Sequence, residues 1–265
     1  MVTRPLVDVS DLRHAYADGT AALRGVSFAA SDGERLAIVG ANGAGKSTTL
    51  LHLAGCLLPQ AGSVRIGDLV LCRDNLPRLR RSVGLLFQNP DDQLFMPRVF
   101  DDVAFGPVNL GLPADEVNAR VMHALAVVDA THLAQRQPHR LSGGEKRAVA
   151  IASVLALSPT ILLMDEPTAS LDPASRRQLI DLLLTLDQTL IIATHDLDLV
   201  LDLCPRTLVL REGTIIADGA TAVVLQNADL LAAARLEKPL RLQACPVCSG
   251  ASGREAPQFP AWTRV

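Results

Sequence analysis

Gly40-Ala41-Asn42-Gly43-Ala44-Gly45-Lys46-Ser47 follows a short apolar run, Arg35 to Val39, and opens a helical stretch from Lys46 to about Gly55. The spacing is G-x-x-x-x-G-K-[ST], and the setting between strand and helix is the one this pattern requires. Glycines let a backbone wrap closely around phosphate oxygens with its N–H groups pointing inward. The helix N-terminus adds the positive end of a dipole. In such a loop the lysine reaches the β- and γ-phosphates and the hydroxyl after it ligates Mg²⁺. Lys46 and Ser47 are therefore candidate ligands, with Gly40, Asn42, Gly43, Gly45 and Thr48 lining the cradle. A chance Gly-rich turn would rarely stand between a strand and a helix in this way.

The rest of the chain has the texture such a loop needs. Apolar residues make up 49% and aromatics only 3%, so Leu, Val, Ile and Ala must fill the core. Short apolar runs at Val83 to Phe87, Thr160 to Met164 and Thr189 to Ala193 read as strands buried on both faces. Helical stretches at Pro173 to Leu186 and Asp196 to Leu203 alternate with them, which predicts a parallel sheet. Leu6 to Val9 and Ala22 to Ala30 read as antiparallel strands with a turn at Asp18-Gly19. Ser63 to Leu71 has strand character around Gly67-Asp68, and Thr207 to Ala217 reads as a hairpin turning at Glu212-Gly213. From Asn89 to about Leu157 the pattern changes. Loop signals come first (Pro90, Pro97, Pro107, Gly111, Pro113), then helices at Ala114 to Asp129 and Gly144 to Leu157. The expected fold is α/β: a P-loop NTPase core with a parallel sheet, an N-terminal antiparallel β subdomain and an inserted helical subdomain at about 89–157. The domain is expected over 1–238, with 239–265 a loosely ordered tail.

Ile161-Leu162-Leu163-Met164-Asp165-Glu166 is an apolar strand ending in two carboxylates. A strand in such a sheet delivers its last residues to the ligand-binding edge. Asp165 then belongs to the metal shell, and Glu166 can polarise an attacking water as a general base. A lone Asp-Glu pair would ordinarily mark a solvated strand end; downstream of a phosphate loop it reads as catalytic.

Leu141-Ser142-Gly143-Gly144-Glu145, followed by Lys146-Arg147, closely resembles the signature sequence of ATP-binding-cassette ATPases, with Glu145 where Gln is usual. The resemblance covers roughly Leu6 to Leu225, and the motifs fall in the family's order. It implies that Leu141 to Glu145 serve the ATP of a second subunit, in a head-to-tail dimer that sandwiches nucleotide. It implies that Gln88 touches Mg²⁺ and water and senses the transmembrane partner. Ser170-Leu171-Asp172 would link the two sites, His195 would contact the γ-phosphate and Tyr16 would stack on adenine. Stacking tolerates many bases, so Tyr16 alone does not exclude GTP. The implied cofactors are ATP and Mg²⁺.

Phe87-Gln88-Asn89-Pro90-Asp91-Asp92-Gln93-Leu94-Phe95, with Asp101-Asp102-Val103-Ala104-Phe105-Gly106-Pro107-Val108-Asn109-Leu110-Gly111-Leu112 after it, resembles the ATPase subunits of energy-coupling-factor importers, especially the cobalt and nickel branch. That implies an integral membrane coupling subunit and a substrate-capturing membrane protein as partners, and a peripheral place on the cytoplasmic face of the membrane. Leu94, Phe95 and Met96 are expected to form a groove for a partner helix, although local core packing is the plainer reading. Alternatives stay open: an importer ATPase for another solute such as a vitamin, a soluble cassette ATPase outside transport, or a module that binds ATP without hydrolysis.

Mean hydropathy is +0.25, yet no run approaches the ~20 apolar residues of a membrane span. Met1 to Asp11 carries charges and no apolar signal-peptide stretch. The formal net charge of −3 argues against a nucleic-acid partner, and Arg78 to Arg81 read as a solvated helix face. The five cysteines are irregularly spaced and read as reduced thiols. Cys245 and Cys248 supply two metal-ligand-like thiols, half of a structural zinc site. They read as part of an inert tail unless two tails pair across a dimer.

Overall fold

A computed structural model describes residues 4–243. Strands β1 (Val7–Ala15) and β2 (Ala21–Ala30) pair antiparallel, and β3 (Arg35–Val39) leads into helix α1 (Lys46–Leu53). Then come β4 (Ala61–Ile66), β5 (Leu69–Val70), α2 (Leu76–Ser82) and β6 (Val83–Leu86). Helices α3 (Val99–Asn109), α4 (Ala114–Val127) and α5 (Gly143–Leu155) follow. The chain closes with β7 (Ile161–Asp165), α6 (Pro173–Thr185), β8 (Thr189–Thr194), α7 (Leu197–Leu203), β9 (Arg206–Arg211), β10 (Thr214–Ala220), α8 (Thr221–Val224) and α9 (Ala228–Ala233).

Two sheets result. The smaller is antiparallel, in the order β2-β1-β4-β5. The larger runs β10-β9-β3-β8-β7-β6. Its strands from β9 to β6 are all parallel, and β10 is an antiparallel edge strand. The inner strands explain their unbroken apolar sequence. Leu36 and Ile38, Ile161 and Leu163, Ile191 and Ala193 face a core shared with α1 and the antiparallel sheet. Their neighbours Ala37 and Val39, Leu162 and Met164, Leu190 and Ile192 face a second core shared with α3 to α7. A period of two with both faces buried leaves polar residues, such as Thr189 and Thr194 of β8, only at the strand ends.

Helix α3 corrects the reading of residues 89–113 as loop. Pro107 lies inside this helix, where it removes one backbone donor. Val99, Val103 and Ala104 nevertheless bury one side against the core, and that packing outweighs the proline. Gly106 fits because a Cβ there would come within 2.6 Å of Leu157. The basic run Arg78 to Arg81 sits on α2 with its arginines exposed and Leu79 buried. The two cysteines of the tail, Cys245 and Cys248, lie outside the described residues, and no metal-holding His/Cys/Asp/Glu cluster occurs among the described ones. No helix among them is long and apolar enough to cross a membrane.

Leu163 is fully buried between the two layers. Leu163→Ala is expected to lower unfolding free energy by about 2–5 kcal/mol, read from the urea midpoint. A cost under about 1 kcal/mol would mean that this layer is not close-packed.

Candidate active site

The strand order assembles the site. Neighbours β3, β8, β7 and β6 point the same way, so their C-terminal ends lie side by side. Those ends lead respectively to Gly40–Ser47, His195, Asp165–Glu166 and Gln88. One cavity of about 340 Å³ is lined by Tyr16, Asn42, Gly43, Gly45, Lys46, Ser47, Thr48, Gln88, Asp165, Glu166 and His195, together with Thr20 to Ala22. Residues far apart in the chain are thus brought to one place.

Two glycines of the loop are required by close approach. A Cβ on Gly40 would lie 2.3 Å from the Leu210 carbonyl oxygen. Gly45 has φ +106°, and a Cβ there would lie 2.7 Å from the Ala22 carbonyl oxygen. Lys46 is buried, and its Nζ donates to the carbonyls of Gly40 (2.8 Å) and Ala41 (3.3 Å). It stands 3.8 Å from Glu166 Oε1. Burial pushes its ammonium pKa down, while Glu166 and Asp165 pull it back up.

Glu166 is the most constrained group. It is buried, and its backbone is left-handed at φ 46°, a strained conformation for a residue with a Cβ. Its amide donates to the Ala193 carbonyl at 2.8 Å, which clamps the loop to the end of β8. Oε2 accepts from Thr194 Oγ1 (2.8 Å) and the His195 amide (3.3 Å). Oε1 lies 2.7 Å from His195 Nδ1. The carboxylate is therefore held from β8 rather than from its own strand, with His195 itself mostly exposed.

Asp165 presents a different character. Burial raises its pKa, and a hydrogen bond from Ser47 lowers it in part. Its Oδ1 is buried without a protein partner. An orphaned carboxylate oxygen beside a hydroxyl and the Gln88 amide is a set of hard oxygen donors, which fits Mg²⁺ bound with phosphate oxygens and water.

Three supporting residues escaped the reading of the sequence. Arg147 on α5 is buried and donates to the carbonyls of Phe87 (2.8 Å) and Gln88 (2.6 Å). Burial pushes its pKa down. A charged residue on the buried, apolar side of a helix, beside Ala150 and Ile151, is the signal that marks it. Asp196 accepts from Arg176 (3.0 and 3.1 Å) and Thr168 (3.0 Å), tying the turn after His195 to α6. Burial alone would raise the Asp196 pKa, but Arg176 and the Leu199 amide hold it below the usual range. Thr194 is the third, invisible as an ordinary strand threonine.

The remaining predicted residues lie elsewhere. Ser142 caps α5: its hydroxyl accepts from the Glu145 amide (3.3 Å), and Glu145 Oε2 accepts from the Ser142 amide (2.7 Å). That reciprocal box works with Glu or Gln, which explains why Glu145 is accommodated. The Ser142 amide bond holds the Glu145 carboxyl below the usual range. Leu141 is buried beneath this cap. Gly143 has open space beside it, whereas a Cβ on Gly144 would lie 2.7 Å from Ser175 Oγ. That hydroxyl donates to Asp172, the cap of α6 (2.6 Å). Ser170 is left-handed at φ 62°. Ser142, Gly144, Glu145 and Leu171 line a separate groove of about 560 Å³. The phosphate loop and the start of α5 thus line different hollows of the chain. Leu94, expected in a partner groove, is buried in the core; Phe95 is exposed and Met96 half-buried.

The sequence pattern of the ABC transporter family matches residues 23–169. The chain is an ABC transporter ATPase. As a member of this family it hydrolyses ATP and couples that hydrolysis to transport. The energy-coupling factor transporter ATP-binding protein EcfA of Methanothermobacter thermautotrophicus is 47% identical over 239 residues, 88% of this chain and 77% of that protein. The solved structure of cbiO1 from Clostridium perfringens, part of the ABC transporter complex cbiONQ, is 40% identical. It matches with a TM-score of 0.77 over 86% of this chain and 93% of its own. The ATP-binding cassette MJ0796, solved as a post-hydrolysis dimer with ADP and Pi, is 27% identical with a TM-score of 0.73 over 81% of this chain and 98% of its own. The α/β fold read from the sequence, with one antiparallel and one mainly parallel sheet, is that of these ATPases.

In this ABC ATPase, Arg147→Met would leave the Phe87 and Gln88 carbonyls without their charged donor. A loss of about 2–4 kcal/mol in urea unfolding is expected, with ATP turnover reduced more than tenfold. Wild-type turnover in a stable Arg147→Met protein would show that this link does not position Gln88.

Proposed function

We propose that this ABC ATPase powers an energy-coupling-factor importer for cobalt or nickel ions, as a head-to-tail dimer that sandwiches ATP. The observation that carries the hydrolysis is the Lys46–Glu166–His195 arrangement beside Asp165, in the same cavity as the phosphate loop, and the importer class rests on the similarity to the EcfA and cbiO1 proteins. The γ-phosphate sits between Lys46 and His195. Asp165, Ser47 and Gln88 would hold Mg²⁺, which would supply positive charge against that developing on the phosphates. A water attacks phosphorus as the bond to the ADP oxygen breaks, and Glu166 takes the proton that this water loses. Thr194 and His195 aim Glu166 at that water. Lys46, desolvated but charged, stabilises the phosphate oxygens as negative charge builds.

The dimer explains why Ser142 and Gly144 line a hollow of their own. In a single chain this helix start has no phosphate to serve. A second subunit, identical or homologous, brings it over the other's ATP, with Ser170 to Asp172 between the sites. The MJ0796 cassette was solved as a dimer, which supports a dimer here. Tyr16, on the cavity rim, stacks on the base.

The membrane partner is read from the loop after Gln88. Phe87, Phe95, Phe105 and Val108 are exposed, and the Phe95 and Phe105 rings meet edge to face at 5.0 Å. An exposed aromatic patch suits an apolar helix of an integral coupling subunit. Arg147 and Gln93 tie this loop to α5, so docking and the dimer face share one support. The relatives in the energy-coupling-factor and cbiONQ systems favour this importer class. The chain would sit peripherally on the cytoplasmic face, held by the coupling subunit and a substrate-capturing membrane protein.

Uptake of radiolabelled Co²⁺ and Ni²⁺ at low concentration tests this reading, in cells co-expressing the chain with its candidate membrane subunits. Wild type should accumulate one of these ions. Glu166→Gln should retain ATP binding and lose about 10²–10⁴-fold in hydrolysis, with uptake lost in step. Absence of uptake for both ions in an assembled complex would remove the cobalt and nickel assignment. Normal turnover by Glu166→Gln would remove Glu166 as the base.

A further inference from the structure

Beneath the rim of the nucleotide cavity lies a polar cluster that phosphate chemistry does not use. His14 on β1 and His52 in the last turn of α1 are 8% and 0% exposed. Their rings meet edge to face with centroids 4.8 Å apart. The other side of His14 meets the Tyr16 ring, also edge to face, at 5.0 Å. The Tyr16 hydroxyl shares a 3.0 Å hydrogen bond with Thr48 Oγ1. The Thr48 carbonyl lies 2.8 Å from His52 Nδ1; a carbonyl only accepts, so that nitrogen carries the proton. Tyr16, His14, His52 and Thr48 therefore close a ring of contacts from the base platform to the phosphate-loop helix and back.

This arrangement is poor as mere filling. His14 Nδ1 and His52 Nε2 are buried without partners, and unsatisfied buried polar atoms are costly. Apolar side chains would pack there without that cost. What the imidazoles supply is shape and direction. Tyr16 is 41% exposed, and two of the contacts that hold it come from this cluster: His14 against the ring and Thr48 at the hydroxyl.

We propose that His14, braced by His52, is a positioning residue that orients Tyr16 to stack on the nucleotide base. The inference rests on the reading of Tyr16 as that platform. His14 acts on the base-dependent part of affinity and leaves the phosphate grip of Lys46 alone. An edge-to-face pair of this kind is worth about two- to tenfold in a binding constant.

The test compares two ligands on the full chain by titration calorimetry: ATP, and inorganic tripolyphosphate, which has no base. The proteins are wild type, Tyr16→Ala, His14→Ala and His14→Phe. His14→Ala should weaken ATP about two- to tenfold and leave tripolyphosphate unchanged. His14→Phe, which keeps a ring edge, should restore ATP affinity. Equal losses for both ligands would mean a general structural effect and overturn the inference, as would failure of His14→Phe to restore binding. If Tyr16→Ala weakens ATP and His14→Ala does not, the inference alone falls. If Tyr16→Ala leaves ATP affinity unchanged, the platform reading falls and takes the inference with it.

Discussion

A parallel strand buried on both faces can offer chemistry only at its ends. That constraint organises this ATPase. Between their ends the strands β3, β8, β7 and β6 carry only apolar side chains and Gly84 into the two cores, with buried polar groups such as Thr189 and Thr194 at the ends, so their C-terminal ends supply the phosphate loop, the histidine, the carboxylates and the glutamine. Parallel direction puts these ends on one edge, and adjacency in the sheet puts them within reach of one triphosphate. The antiparallel sheet adds Tyr16 at one side of the cavity. Sheet register, fixed by apolar packing, therefore sets distances between the polar groups gathered at the strand ends.

Glu166 shows how the register becomes geometry. Its strand ends at Asp165, and the chain turns left-handed at Glu166 itself. The amide then bonds back to Ala193 on the next strand, and the carboxylate meets Thr194 and His195. A one-residue slip of β8 against β7 would exchange the faces of Thr194 and Ala193. The carboxylate would lose its partners at once. The strain at Glu166 is offset by this set of hydrogen bonds, and the gain is a carboxylate, the proposed base, whose direction is set by its neighbours on β8.

Much of this was legible because short motifs carry their own physics. The phosphate loop requires glycine where the backbone approaches Leu210 and Ala22, and the strand before it must be apolar on both faces. What stayed hidden was long-range. Helix α3 was masked by Pro107, because a local rule about proline cannot weigh the burial of Val99 and Val103. Arg147 was quoted beside the signature yet given no role, since nothing local shows that it will face the Phe87 and Gln88 carbonyls. Leu94 and Phe95 look equivalent in sequence. Only the packing of α3 decides that one is core and the other surface.

The links that sequence did not reveal are also those that join the parts. Arg147 and Gln93 run from the loop after Gln88 to α5, whose first residues form the signature. Asp196 runs from the turn after His195 to Arg176 on α6, whose cap is Asp172. Gly144 and Ser175 then bring the starts of α5 and α6 together. The loop carrying the exposed aromatics and the starts of α5 and α6 are therefore joined by polar and charged hydrogen bonds as well as by apolar packing. Apolar surfaces slide past one another with small changes in energy. A guanidinium held by two carbonyls in a dry site cannot let go of one without a cost of about 1–3 kcal/mol. Such joints move as units or not at all, which is the property a coupling element needs if nucleotide chemistry at one edge of the sheet is to move a membrane partner at another.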